Sequence, residues 1–201
     1  MWKDRDNTAD VVQLTRFRGN SKHRLLNEVE AYWDGLRQGR PLPDRQQLDP
    51  RGLARALPCC FVLERVAPQV MRFRLAGQHL NELAGMEMRG MPFSALFLPE
   101  ARAQIAPGLE RLCDGPQALT LSLRGDGGFG RPGLDGEMVL LPMRGEDGAV
   151  NRVLGCLTTE GRIGRQPRRF EITALTARDL AAPVPQKRPD AERPALYLVK
   201  S

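Results

Sequence analysis

Apolar residues recur at helical spacing over residues 21–38. Leu25, Leu26, Val29, Tyr32, Trp33 and Leu36 fall within about 120° of arc at 3.6 residues per turn. Arg24, Glu28, Asp34 and Arg37 fall largely elsewhere. Asn20 or Ser21 can cap the start, and Gly39 suits the left-handed position after the end. Pro41 and Pro43 forbid further helix. The pattern predicts a helix whose apolar stripe docks on a sheet or on a second subunit.

Strand periodicity follows. CFVLERV, 60–66, and VMRFRLA, 70–76, read as two strands joined at Ala67-Pro68-Gln69. In the second, Met71, Phe73 and Leu75 alternate with Arg72 and Arg74, so one face is buried. Before the first strand, Asp49 and Pro50 suit the cap and first position of a short helical turn reaching Ala56. HLNELAG, 79–85, reads as a short helix, and residues 88–97 as irregular chain plugging the core. Pro99 opens a helix towards Cys113, which Pro107-Gly108 should kink or split. Three more strands follow. Leu119, Leu121 and Leu123 alternate with Thr120 and Ser122, MVLLPM at 138–143 is apolar on both faces, and residues 150–159 come after a turn at Gly145–Gly148. EITALTARDL, 171–180, fits either a strand or a helix.

Two strands, a helical middle and three strands with short links favour antiparallel pairing. The economical packing is an α+β fold, a five-stranded antiparallel sheet with helices on one face, preceded by the amphipathic helix. The chain divides into an arm (1–19, where VVQL at 11–14 can pair as an edge strand), the helix and its proline-rich connection (20–58), the core (59–160), an Arg-rich extension (161–182) and a tail (183–201) with a late apolar patch, ALYLV.

Composition narrows the classes. Of 201 residues, 41% are hydrophobic, enough for a packed core. No apolar run approaches the roughly 20 residues of a membrane span, and the first ten residues hold no apolar signal region, so a cytoplasmic location is the default. The net charge of +6 is mostly Arg, spread along the chain as on a solvated surface. The four cysteines form no C-x-x-C pair and there are two histidines, which argues against a zinc site and for reduced thiols.

The helix ending YWDGLRQGRPLPDRQQLDP, the strand FRLAG at 73–77 and GMEMRGMPFSALF at 85–97 resemble an alphaproteobacterial PAS-like family once labelled a domain of unknown function. The set Tyr32-Trp33, Leu36-Arg37, Gly39-Arg40 and Pro43 carries the resemblance, which covers roughly residues 21–175. It implies five antiparallel strands and no defined reaction. PAS domains typically bind a small molecule or another protein and pass on a conformational change.

Candidate chemistry adds little to that. Gly125–Gly130 matches G-x-G-x-x-G, but no helix follows to receive a phosphate, so it reads as a mobile hairpin loop. Arg165 and Arg169 form R-x-x-x-R without the second half of a PilZ-type motif, and Arg162, Arg165, Arg168 and Arg169 can grip an anion. Of the two histidines His79 is the better placed to ligate a haem, since His23 lies on the polar part of the first helix, yet a lone His at a helix start is far more often a capping or surface residue, and the reactive-Cys flavin signature is absent. No cofactor and no metal are therefore expected. Nor can a nucleophile, base and orienting group be assembled from two histidines. Arg74 is expected to pair with Glu82 or to face an anionic ligand. A pocket, if occupied by a small molecule, lies between the sheet and residues 77–112, lined by Arg74, Leu75, His79, Leu80, Leu83, Phe93 and Leu96. Leu25, Leu26, Val29, Trp33 and Leu36 are the candidate interface of a homodimer or of another signalling protein. The expected function is a non-catalytic sensory or regulatory module. The alternative is a nucleic-acid or acidic-partner binder using the Arg-rich segment.

Overall fold

The computed structural model describes residues 20–180, so VVQL and ALYLV lie outside the described residues. In chain order its elements are α1 (Asn20–Arg37), β1 (Cys60–Ala67), β2 (Val70–Ala76), α2 (Gln78–Ala84), α3 (Pro99–Asp114), β3 (Gln117–Gly125), β4 (Leu134–Arg144), β5 (Val150–Gly161) and β6 (Phe170–Asp179). The strands form one sheet in the order β2-β1-β5-β4-β3-β6, every neighbour antiparallel.

Strand β4 sets the layering. It is buried continuously from Met138 to Met143, so both faces of the sheet need apolar cover. On the inner face, Met138 and Leu140 join Leu119, Leu121, Leu157 and a ring cluster of Phe61, Phe73, Phe93 and Phe97, beneath α2, the turn Phe93–Leu96 and α3. The ring centroids stand 5.1–6.0 Å apart in edge and stacked pairs. Phe61 lies flat against its partner residue Gly155, where a Cβ would come within 2.2 Å of the ring.

On the outer face, Leu26, Val29 and Trp33 of α1 pack on Val139, Leu141, Leu154 and Cys156. The stripe expected to seek a sheet or a second subunit thus finds the sheet of its own chain. The Trp33 ring is fully buried, and its Nε1 donates to the Pro142 carbonyl at 3.1 Å. The Tyr32 hydroxyl meets both the carbonyl (2.9 Å) and the N–H (2.8 Å) of Asp49, fixing the turn Pro50–Leu53, which Asp49 caps through Arg51 N. Arg37, buried although read as polar surface, lies 5.3 Å from the Trp33 ring centroid and donates to the Arg40 and Leu180 carbonyls. The helix ends in two left-handed residues, Gln38 and Gly39.

Two expectations change. The sheet has six strands, not five: EITALTARDL supplies β6, which pairs with β3 along its length, and helices cover both faces. Helix α3 also runs unbroken through Pro107. Ala103, whose carbonyl loses its partner at Pro107, is an exposed residue, while Gly108 lies close to Leu119.

Truncating Trp33 removes a buried ring and orphans a carbonyl. Trp33→Ala is expected to lower unfolding free energy by about 3 kcal/mol or more, read from urea denaturation of the full chain. An unchanged midpoint would mean that α1 contributes nothing to the fold.

Candidate functional site

The residues assigned to a pocket divide between core and surface. Leu80, Leu83, Phe93 and Leu96 are at most 1% exposed and belong to the inner-face cluster. At that exposure no water-sized void touches them, and the four phenylalanine rings occupy the space between sheet and helices. Leu75, by contrast, is about half exposed at the end of β2. His79 is half-buried on α2, with Nε2 3.0 Å from Thr159 Oγ1. Arg74 is exposed and pairs with Glu64, not with Glu82. Cross-strand pairing of β1 with β2 brings Glu64 opposite Arg72, one step from Arg74, and Arg152 of β5 reaches the same carboxylate at 2.8 Å. The hydrogen bond from Arg74, helped by the charge of Arg152, holds the Glu64 carboxyl below its ordinary range.

Among the proposed interface residues, Leu26, Val29 and Trp33 are buried on the outer face, while Leu25 and Leu36 are half-buried at its margins.

The arginines of the extension do not act as one patch. Arg168 is fully buried. Its guanidinium donates to Asp126 Oδ1 (3.1 Å) and to the carbonyls of Ile163 (2.5 Å), Asp126 (2.8 Å) and Pro132 (3.0 Å). Arg131 reaches the other Asp126 oxygen at 2.9 Å. Every polar group of this buried pair is therefore met. The network clasps the base of the glycine-rich loop, which also closes through Arg165 N–H to the Gly130 carbonyl at 2.7 Å. The loop expected to be mobile is thus pinned at its base. Phe129, at its tip, is 96% exposed. Arg162, Arg165 and Arg169 are exposed and make no ion pair among the described residues. Asp126 and Phe129 were missed in the sequence because Arg168 lies 42 residues from its carboxylate.

The cysteines are free thiols. Cys60 and Cys156 face each other across β1 and β5, and the Cys156 thiol is raised above the ordinary range by its side-chain hydrogen bond with Cys60 and by burial. Burial pushes Cys113 up to about 11. Neither favours the reactive thiolate. Among the described residues no three His, Cys, Asp or Glu are placed to hold a metal, and no helix is long and apolar enough to cross a membrane.

A family model described as PAS domain matches residues 21–158. The chain belongs to the PAS domain family. Its members are generally sensory and regulatory modules. Strand β6 lies beyond the matched residues. Among solved structures, the chain is similar to an RNA-binding light-oxygen-voltage receptor, at 22% identity and TM-score 0.41, over 56% of this chain and 33% of that one. It is also similar to a light-oxygen-voltage domain studied with a flavin analogue, at 19% identity and TM-score 0.40, over 56% of this chain and 84% of that one. The chain thus spans a third of the length of the first of these proteins. Comparison with curated proteins gives no match.

The Glu64 carboxyl yields a pH prediction. Its folded pKa is depressed, so its contribution to stability is present above the unfolded value near 4.3 and lost as pH falls through the folded one. Glu64→Gln should flatten the acid side of a stability-against-pH curve below about pH 4. Equal acid slopes for the two proteins would show that the pair is inconsequential.

Proposed function

We propose that this PAS domain is a non-catalytic regulatory module of signal transduction that acts by contact with another protein or a second copy of itself. The observation that supports this most is the packed inner face. Leu80, Leu83, Phe93 and Leu96, the side chains that would line a ligand chamber, touch one another and the phenylalanine cluster instead. A flavin or haem there would have to displace several rings from a core at crystal-like density. Apolar groups remain at the surface for a partner: Phe129, Leu57, Val66, Val70 and Leu75 are all more than 40% exposed. Leu25 and Leu36 flank the buried part of α1.

Purified full chain is expected to show no absorbance band beyond that of its aromatic residues, and denaturing mass spectrometry should release no aromatic cofactor. A stoichiometric flavin or haem would overturn the reading.

A second reading has one observation in its favour. The pinned loop holds Phe129 in solvent next to Gly130, whose carbonyl accepts from Arg165 N–H, and Arg162, Arg165 and Arg169 of that segment are exposed and not ion-paired among the described residues. An aromatic platform beside unpaired guanidinium groups suits single-stranded nucleic acid. On this reading, fluorescence anisotropy with an oligouridine gives binding with a log–log salt slope of about −2, the most that three phosphate contacts supply, and Phe129→Ala weakens it. Binding that ignores salt, or survives Phe129→Ala unchanged, rejects it.

A further inference from the structure

We propose that the outer face of the sheet carries a binding site for an organic cation, a guanidinium or alkylammonium group, in the polar cleft beside the start of α1. The cleft lies on the opposite face from the phenylalanine cluster. Its volume is about 190 Å³, and it is lined by Ser122, Leu123, Asp135, Gly136, Glu137, Thr158, Glu160 and Thr173.

Strand register builds it. Thr158, Glu137 and Ser122 stand opposite one another across β5, β4 and β3. One step along, Glu160, Asp135 and Arg124 form the next row. All project towards the α1 side, because Met138 and Leu157 between them face the inner core. The upper part of this face is covered by α1, whose stripe ends near His23. The lower part is left polar.

Two buried atoms in this cleft lack hydrogen bonds. Thr158 is 3% exposed and its Oγ1 has no partner; Glu137 Oε2 is likewise buried and unsatisfied. The His23 ring is nearby, with Nδ1 3.1 Å from that oxygen, but mostly exposed and not aligned as a hydrogen-bond donor to it. Buried polar groups in native proteins are nearly always satisfied, so the Thr158 hydroxyl points to a missing partner, beside a Glu137 carboxylate whose ion-pair partner His23 is mostly exposed. The electrical setting says which kind. Three carboxylates surround the cleft, and at its edge stand the His23 ring and the Arg124 guanidinium, the latter 3.7 Å from Asp135. Glu160 has an interaction of its own and adds only its charge.

Among the described residues no three His, Cys, Asp or Glu are placed to hold a metal ion. A planar or tetrahedral nitrogen cation is different: it carries several N–H groups and reaches a carboxylate and a hydroxyl together. The volume is below that of drug-sized pockets, so the occupant is the size of a side chain. That chemistry comes either from a free amine or from an Arg or Lys side chain of a polypeptide.

Isothermal titration of the full chain with agmatine, and separately with the blocked peptide acetyl-Gly-Arg-Gly-amide, separates the sources. Saturable binding is expected for at least one probe. Tighter binding of agmatine assigns the site to a free amine, and tighter binding of the peptide assigns it to a polypeptide. Glu137→Gln, which keeps the shape, should weaken binding at least about tenfold, and Thr158→Val several-fold. The thermal melt of Thr158→Val should match or exceed the parent, since it removes an unsatisfied buried hydroxyl. Failure of both probes to saturate by about 10 mM, or equal binding by Glu137→Gln, overturns the proposal.

Discussion

Two-sided burial of β4 is the constraint on which the rest of this PAS domain depends. Met138 to Met143 cannot face water on either side. One side is met by the phenylalanine cluster and the elements between β2 and β3. The other is met by α1, which arrives from before the sheet in sequence and is held by Trp33 on Pro142 and by Arg37 on the carbonyls of Arg40 and Leu180. Tyr32 then ties the connection through Asp49, so the proline-rich stretch between helix and sheet becomes a fixed strap. The Tyr-Trp pair therefore acts on two neighbours at once: the tryptophan on the sheet, the tyrosine on the chain leading into it.

This arrangement decides which surfaces can carry function. The inner face, a natural place for a ligand chamber in a sheet backed by short helices, is closed by aromatic packing. The apolar stripe of α1, a natural dimer surface when read alone, is largely consumed inside the chain. Among the described residues the open features include the acidic cleft beside the start of α1, the clasped loop that ends in Phe129, and the exposed Leu57, Val66, Val70 and Leu75. Strand β6 widens the sheet at the β3 edge, and the buried Arg168–Asp126 pair joins it to that loop.

Much of the fold was legible where periodicity was clean. Met71 and Phe73 on β2, and Leu119, Leu121 and Leu123 on β3, alternate as one-face strands and do face the inner core. The helix stripe was equally plain, as was the Asp49-Pro50 turn. Strand β6 was ambiguous for a physical reason. A register shift at Thr173 places Ile172 opposite Leu123 and Ala174 opposite Ser122. The bulge breaks the two-residue alternation, so Ile172 and Leu175 fall three apart, as on a helix. Site residues were harder. Leu80, Leu83, Phe93 and Leu96 were placed on the right face, but a sequence does not tell whether apolar side chains line a space or fill it. Arg74 was given Glu82 because they are near in sequence, whereas strand pairing brings Glu64. The cleft of Glu137 and Thr158 gave no signal, since three strands far apart in sequence build it.

Helix α1 packs on the sheet of its own chain. Amide hydrogen exchange of the full chain at two concentrations about a hundredfold apart tests it most directly. Amides of α1 around Val29 to Leu36 should be protected together with those of β4, equally at both concentrations. Protection of α1 that appears only at the higher concentration, while β4 stays protected at both, would show that the helix docks on a second subunit and contradict the account.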